Sequence, residues 1–272
     1  ALFCLSEYMP PVAAARFAKL RHGEVLVARY TQGLDHAGRL TLWKTPDVQM
    51  STVSDHHAGE RGKQQHVIDL QFAGHPMARA WINHPGELKV WGERRPSLLA
   101  GNAILPRVAQ DADTAFIIHD LKSDLSTIGF SQFFAPREAF DLVEADGNWL
   151  FLRSGNGCAG IWCSDGLAPM TGGLYRDAIW RGTERVAGWV VVVGTASAEA
   201  DFAAFRAGLA ASEIGFDAGA RTLNARLPSG AYALSHDGPF SRDGSELAFG
   251  PLTSTPHVSM NGGPMRPWTD QV

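Results

Sequence analysis

The sequence predicts a mainly β protein: a large antiparallel β-sandwich, or super-sandwich, with one or two short surface helices. Three observations predict it. Short runs of β-favouring residues recur along most of the chain, the breaks between them are glycine turns, and only two segments have helical spacing.

Strands are predicted at 25–30, 40–43, 66–73, 78–83, 114–119, 148–153, 159–163, 189–193, 221–227 and 231–235. Between them lie turn signals such as Asp146 and Gly147, Ser154 to Gly157, Asp165 and Gly166, Ser229 and Gly230, and Asp243 and Gly244. Glycine turns at this spacing join hairpins, which gives a meander or sandwich and not a series of βαβ crossovers. One helix is predicted at 12–20, after Pro10 and Pro11, whose fixed φ suits a first turn, and before Gly23. A second is predicted at 198–211, where Phe202, Phe205 and Leu209 share a face and Glu199 and Asp201 suit the positive N-terminal end. Both read as helices capping a sheet. The glycine- and proline-rich tail, 250–267, reads as irregular packing over the sheets.

The 272 residues lie near the upper limit for one hydrophobic core, and a composition of 45% hydrophobic and 19% charged residues excludes global disorder. A net charge of −4 gives no field to hold nucleic acid. An acidic polysaccharide would need local cations such as Arg94, Arg95 and Arg107. No apolar run approaches the roughly 20 residues of a membrane span, and the longest, 189–193, reads as a buried strand. The chain opens on Ala1 without an initiator Met or a leader pattern, so it reads as the interior of a longer protein. Its expected organisation is an N-terminal segment at 1–23 and a β-sandwich at 24–272.

Cys4, Cys158 and Cys163 form no disulfide framework. Cys158 and Cys163 are five apart in one strand and so point to opposite faces. The phosphate-cradling loop, the nucleophile elbow and the H-E-x-x-H helix are all missing, which excludes those chemistries in their usual forms.

Six of the ten histidines fall between 36 and 84, and register places two of them. Setting Ile68 opposite Ile82, Leu70 opposite Ala80 and Phe72 opposite Ala78 makes one face of a hairpin wholly apolar. The other face then pairs Asp69 with Trp81 and Gln71 with Arg79. A one-residue slip would set Leu70 against Arg79, so the apolar face selects the first register. Continued outward, it sets His66 opposite His84, with His56, His57 and Gln132 as candidate third groups. Two facing imidazoles can share a zinc ion, divide acid and base roles, or close the rim of the ladder with no ligand.

Several short motifs occur in one order: Gly62 to His66, a hairpin, then Asn83 to Gly86, Arg95 and Pro96, Ala100 to Asn102, Leu105 to Gln110, Phe133 to Pro136, Ala139 to Asp141 and Gly147 to Arg153. This series resembles the C-terminal β-sandwich of heparinase II/III-like polysaccharide lyases, over roughly 41–240. The resemblance implies β-elimination of a uronate-containing polysaccharide, with an α/α toroid supplying much of the acid, base and carboxylate-binding machinery. It also implies a sandwich that closes the cleft and often carries zinc, and a periplasmic or secreted location. On that reading His66, His84 and Arg107 are catalytic candidates, and His66 and His84 are also the metal candidates. Gln65, Trp81, Asn83, Trp91 and Gln132 are substrate-binding candidates. At His84 many relatives carry aspartate, and Gln132 stands where near relatives carry histidine. With the toroid absent, the chain is expected to be a poor enzyme alone. A non-catalytic carbohydrate-binding module using exposed Trp81 and Trp91, and a structural domain with a decayed site, are the competing readings.

Overall fold

A computed structural model describes residues 20–32, 38–54, 57–62, 66–86, 98–99, 101–122, 124–173, 175–250 and 253–268. The helix expected at 12–20 lies outside them apart from Leu20, as do Gln65, His56, Trp91, Arg94 and Arg95.

The described residues form one α-helix and twenty-one strands. The first eight strands are β1 (Leu26–Gln32), β2 (Gly38–Lys44), β3 (Val48–Ser54), β4 (Ile68–Phe72), β5 (Arg79–Asn83), β6 (Arg107–Asp111), β7 (Thr114–Asp120) and β8 (Ser131–Phe134). Then come β9 (Leu142–Asp146), β10 (Trp149–Ser154), β11 (Gly157–Cys163), β12 (Ala168–Pro169), β13 (Ile179–Gly182) and β14 (Val186–Thr195). Helix α1 (Glu199–Ala210) precedes β15 (Glu213–Asp217), β16 (Thr222–Leu227), β17 (Gly230–Ser235), β18 (Phe240–Arg242), β19 (Ser245–Glu246), β20 (His257–Met260) and β21 (Arg266–Pro267). All ten predicted strands are present, their ends moved by no more than three residues.

The strands make three antiparallel sheets. A ten-stranded sheet runs β12-β13-β8-β5-β4-β3-β2-β1-β20-β21, a six-stranded sheet runs β6-β7-β14-β11-β10-β9, and β15 to β19 form a meander. The first two pack face to face as the predicted sandwich, around Met50, Leu70, Ile82, Leu150, Ile161 and Val191. The other face of the six-stranded sheet is also covered. Phe116, Phe151 and Val190 pack there against Phe202 and Leu209 of α1 and Leu223 and Leu234 of the meander. A third layer therefore lies behind the sandwich, which explains the run at 189–193. Val191 and Val193 join one core and Val190 and Val192 the other, so every residue of that stretch is apolar. Cys158 and Cys163 likewise fall into different cores, and burial pushes both thiols up, Cys158 to about 12.

One close approach ties the sandwich sheets at a corner. A Cβ on Gly74, in the β4–β5 turn, would come within 2.4 Å of the Gly155 backbone nitrogen in the β10–β11 turn, and Gly155 itself has φ +59°. Both positions need glycine, one for space and one for its backbone.

The β4–β5 hairpin has the predicted register: Asp69 opposite Trp81, Leu70 opposite Ala80 and Gln71 opposite Arg79. Phe72 donates its N–H to the Ala78 carbonyl at 2.9 Å. β5 then pairs with β8, setting Trp81 opposite Phe134 and Asn83 opposite Gln132. This arrangement decides where the candidate residues point.

Candidate functional site

Facing pairs in an antiparallel ladder share a face. Asp69, Trp81 and Phe134 therefore lie together on the outer face of the ten-stranded sheet, with Asn83, Gln132 and Arg181 in the neighbouring row. The inner face carries Leu70, Ala80, Ile82 and Phe133, all in the core.

His66 does not follow the alternation. Val67 and Ile68 are both buried in the core, so the bend at Val67 turns two successive residues inward and throws His66 outward. Its ring stacks on Trp81 at 5.0 Å between centroids. Nε2 lies 3.1 Å from the Leu99 carbonyl, which only an N–H can satisfy. Nδ1 thus carries the lone pair, 4.0 Å from Asp69 Oδ2.

His84 goes the other way and is fully buried. The Ile104 N–H donates to its Nδ1 at 3.1 Å, so the proton sits on Nε2, which donates to the Ile128 carbonyl at 2.9 Å. Burial lowers its pKa to about 4, with the Arg185 charge acting in the same direction and the Ile128 hydrogen bond opposing. The expected facing of His66 and His84 is therefore corrected. The register holds, but the Val67 bend puts the two rings on opposite faces of the sheet. His84 has no nitrogen left for a metal, so the pair does not fit zinc. Nor is any group of three metal-capable side chains found among the described residues.

Four predicted residues do converge: His66, Trp81, Asn83 and Gln132. The Gln132 amide nitrogen donates to Asn83 Oδ1 at 3.2 Å and to the Leu98 carbonyl at 2.7 Å, which fixes the amide orientation. Asn83 in turn donates to the Gly101 carbonyl at 2.9 Å. These bonds clamp Leu98 and Gly101 onto the sheet and leave Gln132 Oε1 buried without a partner among the described residues. Asp69 Oδ1, Trp81 Nε1 and Arg181 Nε are in the same condition. The outer face thus gathers two acceptors and two donors left without a partner among the described residues. Asp69 and Arg181 escape a reading based on histidines. Asp69 is visible in the hairpin register, but Arg181 sits on β13, a four-residue strand too short to show alternation. Trp81 is stacked on one neighbour by His66 and on another by Phe134, at 4.2 Å, so its ring is less free to receive a sugar than the sequence suggests.

Arg107 is far from this group in the topology. It begins β6, the edge strand of the other sheet, and donates to the Gly238 carbonyl at 3.3 Å. It lines a cleft of about 620 Å³ together with Arg29 and Arg39.

Compared with known proteins, the chain matches no family model, no curated protein and no solved structure. No helix among the described residues is long and apolar enough to cross a membrane.

Proposed function

We propose that this chain is the β-sandwich portion of a polysaccharide lyase-like protein, and that it holds a uronate-containing polysaccharide without cleaving it alone. The observation that carries this reading is the outer-face cluster of Asp69, Trp81, Gln132 and Arg181, each with a buried polar atom lacking a partner. Buried polar atoms left unpaired cost about 1–3 kcal/mol each, so four on one face mark a surface built for something that supplies both donors and acceptors. Sugar hydroxyls do both. Arg181 and the half-exposed Arg79, which also pairs with Asp69 at 3.0 Å, add cations for a carboxylate.

β-Elimination needs a base for the C5 proton, a cation or amide to neutralise the carboxylate, and an acid for the leaving oxygen. The outer face supplies the second of these. His66 is the single imidazole there among the described residues, and His84 is sealed in the core, so the remaining machinery falls to a helical partner such as the α/α toroid. That role implies a periplasmic or secreted protein.

Titration calorimetry with uronate oligosaccharides tests the reading. Binding is expected, weakened about tenfold by Arg181→Ala or Asp69→Asn, with no rise in the ultraviolet absorbance of unsaturated uronate. Binding indifferent to both substitutions would remove the outer face from the proposal, and lyase turnover would show that the chain cleaves alone.

A further inference from the structure

On the opposite face of the same sheet, alternation puts charge where a core residue belongs. Val27 faces Trp43 across β1 and β2, and both point into the sandwich. Two residues further along β1 the same inward position is Arg29, facing Thr41, and in the next row Arg39 faces Thr31. An inward arginine is tolerated only where the opposing sheet has ended, and it has. β6 is the edge of the six-stranded sheet, whereas the ten-stranded sheet continues past it through β2 and β1 to β20 and β21. Thr52 marks the boundary, fully buried and donating to Gln110 of β6 at 2.6 Å. Beyond it the overhanging strands, the edge strand and the segment 246–250 enclose the 620 Å³ cleft.

Among the described residues, three arginines and one glutamate, Glu246, line this space in a protein whose net charge is −4. The Phe249 ring lies 5.9 Å from the Arg29 guanidinium carbon and 5.6 Å from that of Arg39. Arg29 Nε is buried with no partner. Arg107 and Gly238 also line a second recess of about 350 Å³, together with His57, His236 and Asp237.

We infer that this overhang is a second binding site, distinct from the outer face, that takes an elongated acidic oligosaccharide carrying carboxylate or sulfate groups. Guanidinium forks match such oxyanions in pairs. The volume exceeds what an inorganic anion fills and falls within the range of sites for small organic ligands, and two recesses that meet at Arg107 and Gly238 suit a chain. Leu247, Phe249 and Pro239 supply an apolar wall for the C–H faces of a sugar ring, which a bare polyphosphate would not use. The inference shares its ligand class with the proposed function, but its residues lie on the other face of the sheet, so the two fail separately.

Calorimetry with oligogalacturonate, a sulfated dextran oligomer and inorganic sulfate, each at low and high salt, tests it. One of the two oligomers is expected to show a salt-sensitive binding phase that Arg29→Gln and Arg39→Gln each weaken about tenfold or more, and this phase persists in Arg181→Ala, which removes only binding to the outer face. Which oligomer binds distinguishes carboxylate from sulfate. Circular dichroism of each variant establishes that it is folded, and Phe249→Ala, at the rim, gives a second probe of the same wall. Oligomer binding that survives all three cleft substitutions, no oligomer binding, or sulfate binding as tight as either oligomer would overturn it.

Discussion

The inner and outer faces of the β4–β5 hairpin treat polar groups in opposite ways. Inside, one histidine is admitted, and both of its nitrogens are bonded to main chain, to Ile104 and Ile128. Outside, Asp69, Trp81 and Gln132 keep polar atoms with no partner. The inner face packs against a second sheet, where an unpaired polar group is costly; His84 closes both bonds locally, whereas His119 of β7 leaves both ring nitrogens unpaired among the described residues. The outer face differs in gathering its unpaired atoms on neighbouring strands, the arrangement that the proposed ligand would answer.

The largest expected effect comes from breaking the closed side. His84→Ala leaves the Ile104 N–H and the Ile128 carbonyl without their partner and opens a cavity, for a loss of about 3–5 kcal/mol. The midpoint of urea unfolding measures it. A loss below about 1 kcal/mol would mean that the histidine is incidental to the core.

Acid tests the same side by a smaller step. Burial lowers the His84 pKa to about 4, and burial, with His84 and His236 nearby, holds His119 well below the ordinary histidine range. The unfolded chain binds these protons near pH 6.5 and the folded chain does not, so the unfolded state gains protons first as pH falls. The stability these groups contribute is complete above about pH 6.5. It should fall by about 1.4 kcal/mol per pH unit for each histidine below that, down to about pH 4 for His84. His119 differs from His84 in that neither ring nitrogen has a partner, so His119→Phe should remove part of the acid sensitivity at little cost. An unfolding free energy flat between pH 6.5 and 5 would contradict this.

Most of the sandwich was legible because its strands announce themselves by glycine turns and by alternation that flips with register. The third layer was not, because a strand covered on both faces reads as a plain apolar run whichever element covers it. β3 and β8 were missed because Gln49, Ser51, Ser131 and Gln132 dilute the pattern and no glycine turn bounds them. At the site, the register was readable and Asn83, Trp81 and Gln132 came together as candidates. The histidine pair did not, because one bend at Val67 reverses every side chain beyond it and nothing in the local sequence marks that bend. Arg29 and Arg39 passed unnoticed for a different reason. Their alternation was visible, but that the opposing sheet stops short of them is a property of strand order.

The division between the two faces is tested most directly by histidine ring nitrogen shifts, measured by long-range proton–nitrogen correlation between pH 7 and 5, with and without zinc. The account predicts that His84 stays neutral throughout, with Nδ1 as the acceptor and Nε2 protonated, and is unmoved by zinc. It predicts that His66 carries its neutral-state proton on Nε2 and senses added uronate. A His84 that titrates near pH 6.5, or whose Nδ1 shifts together with His66 on adding zinc, would put the two rings back on one face and contradict it.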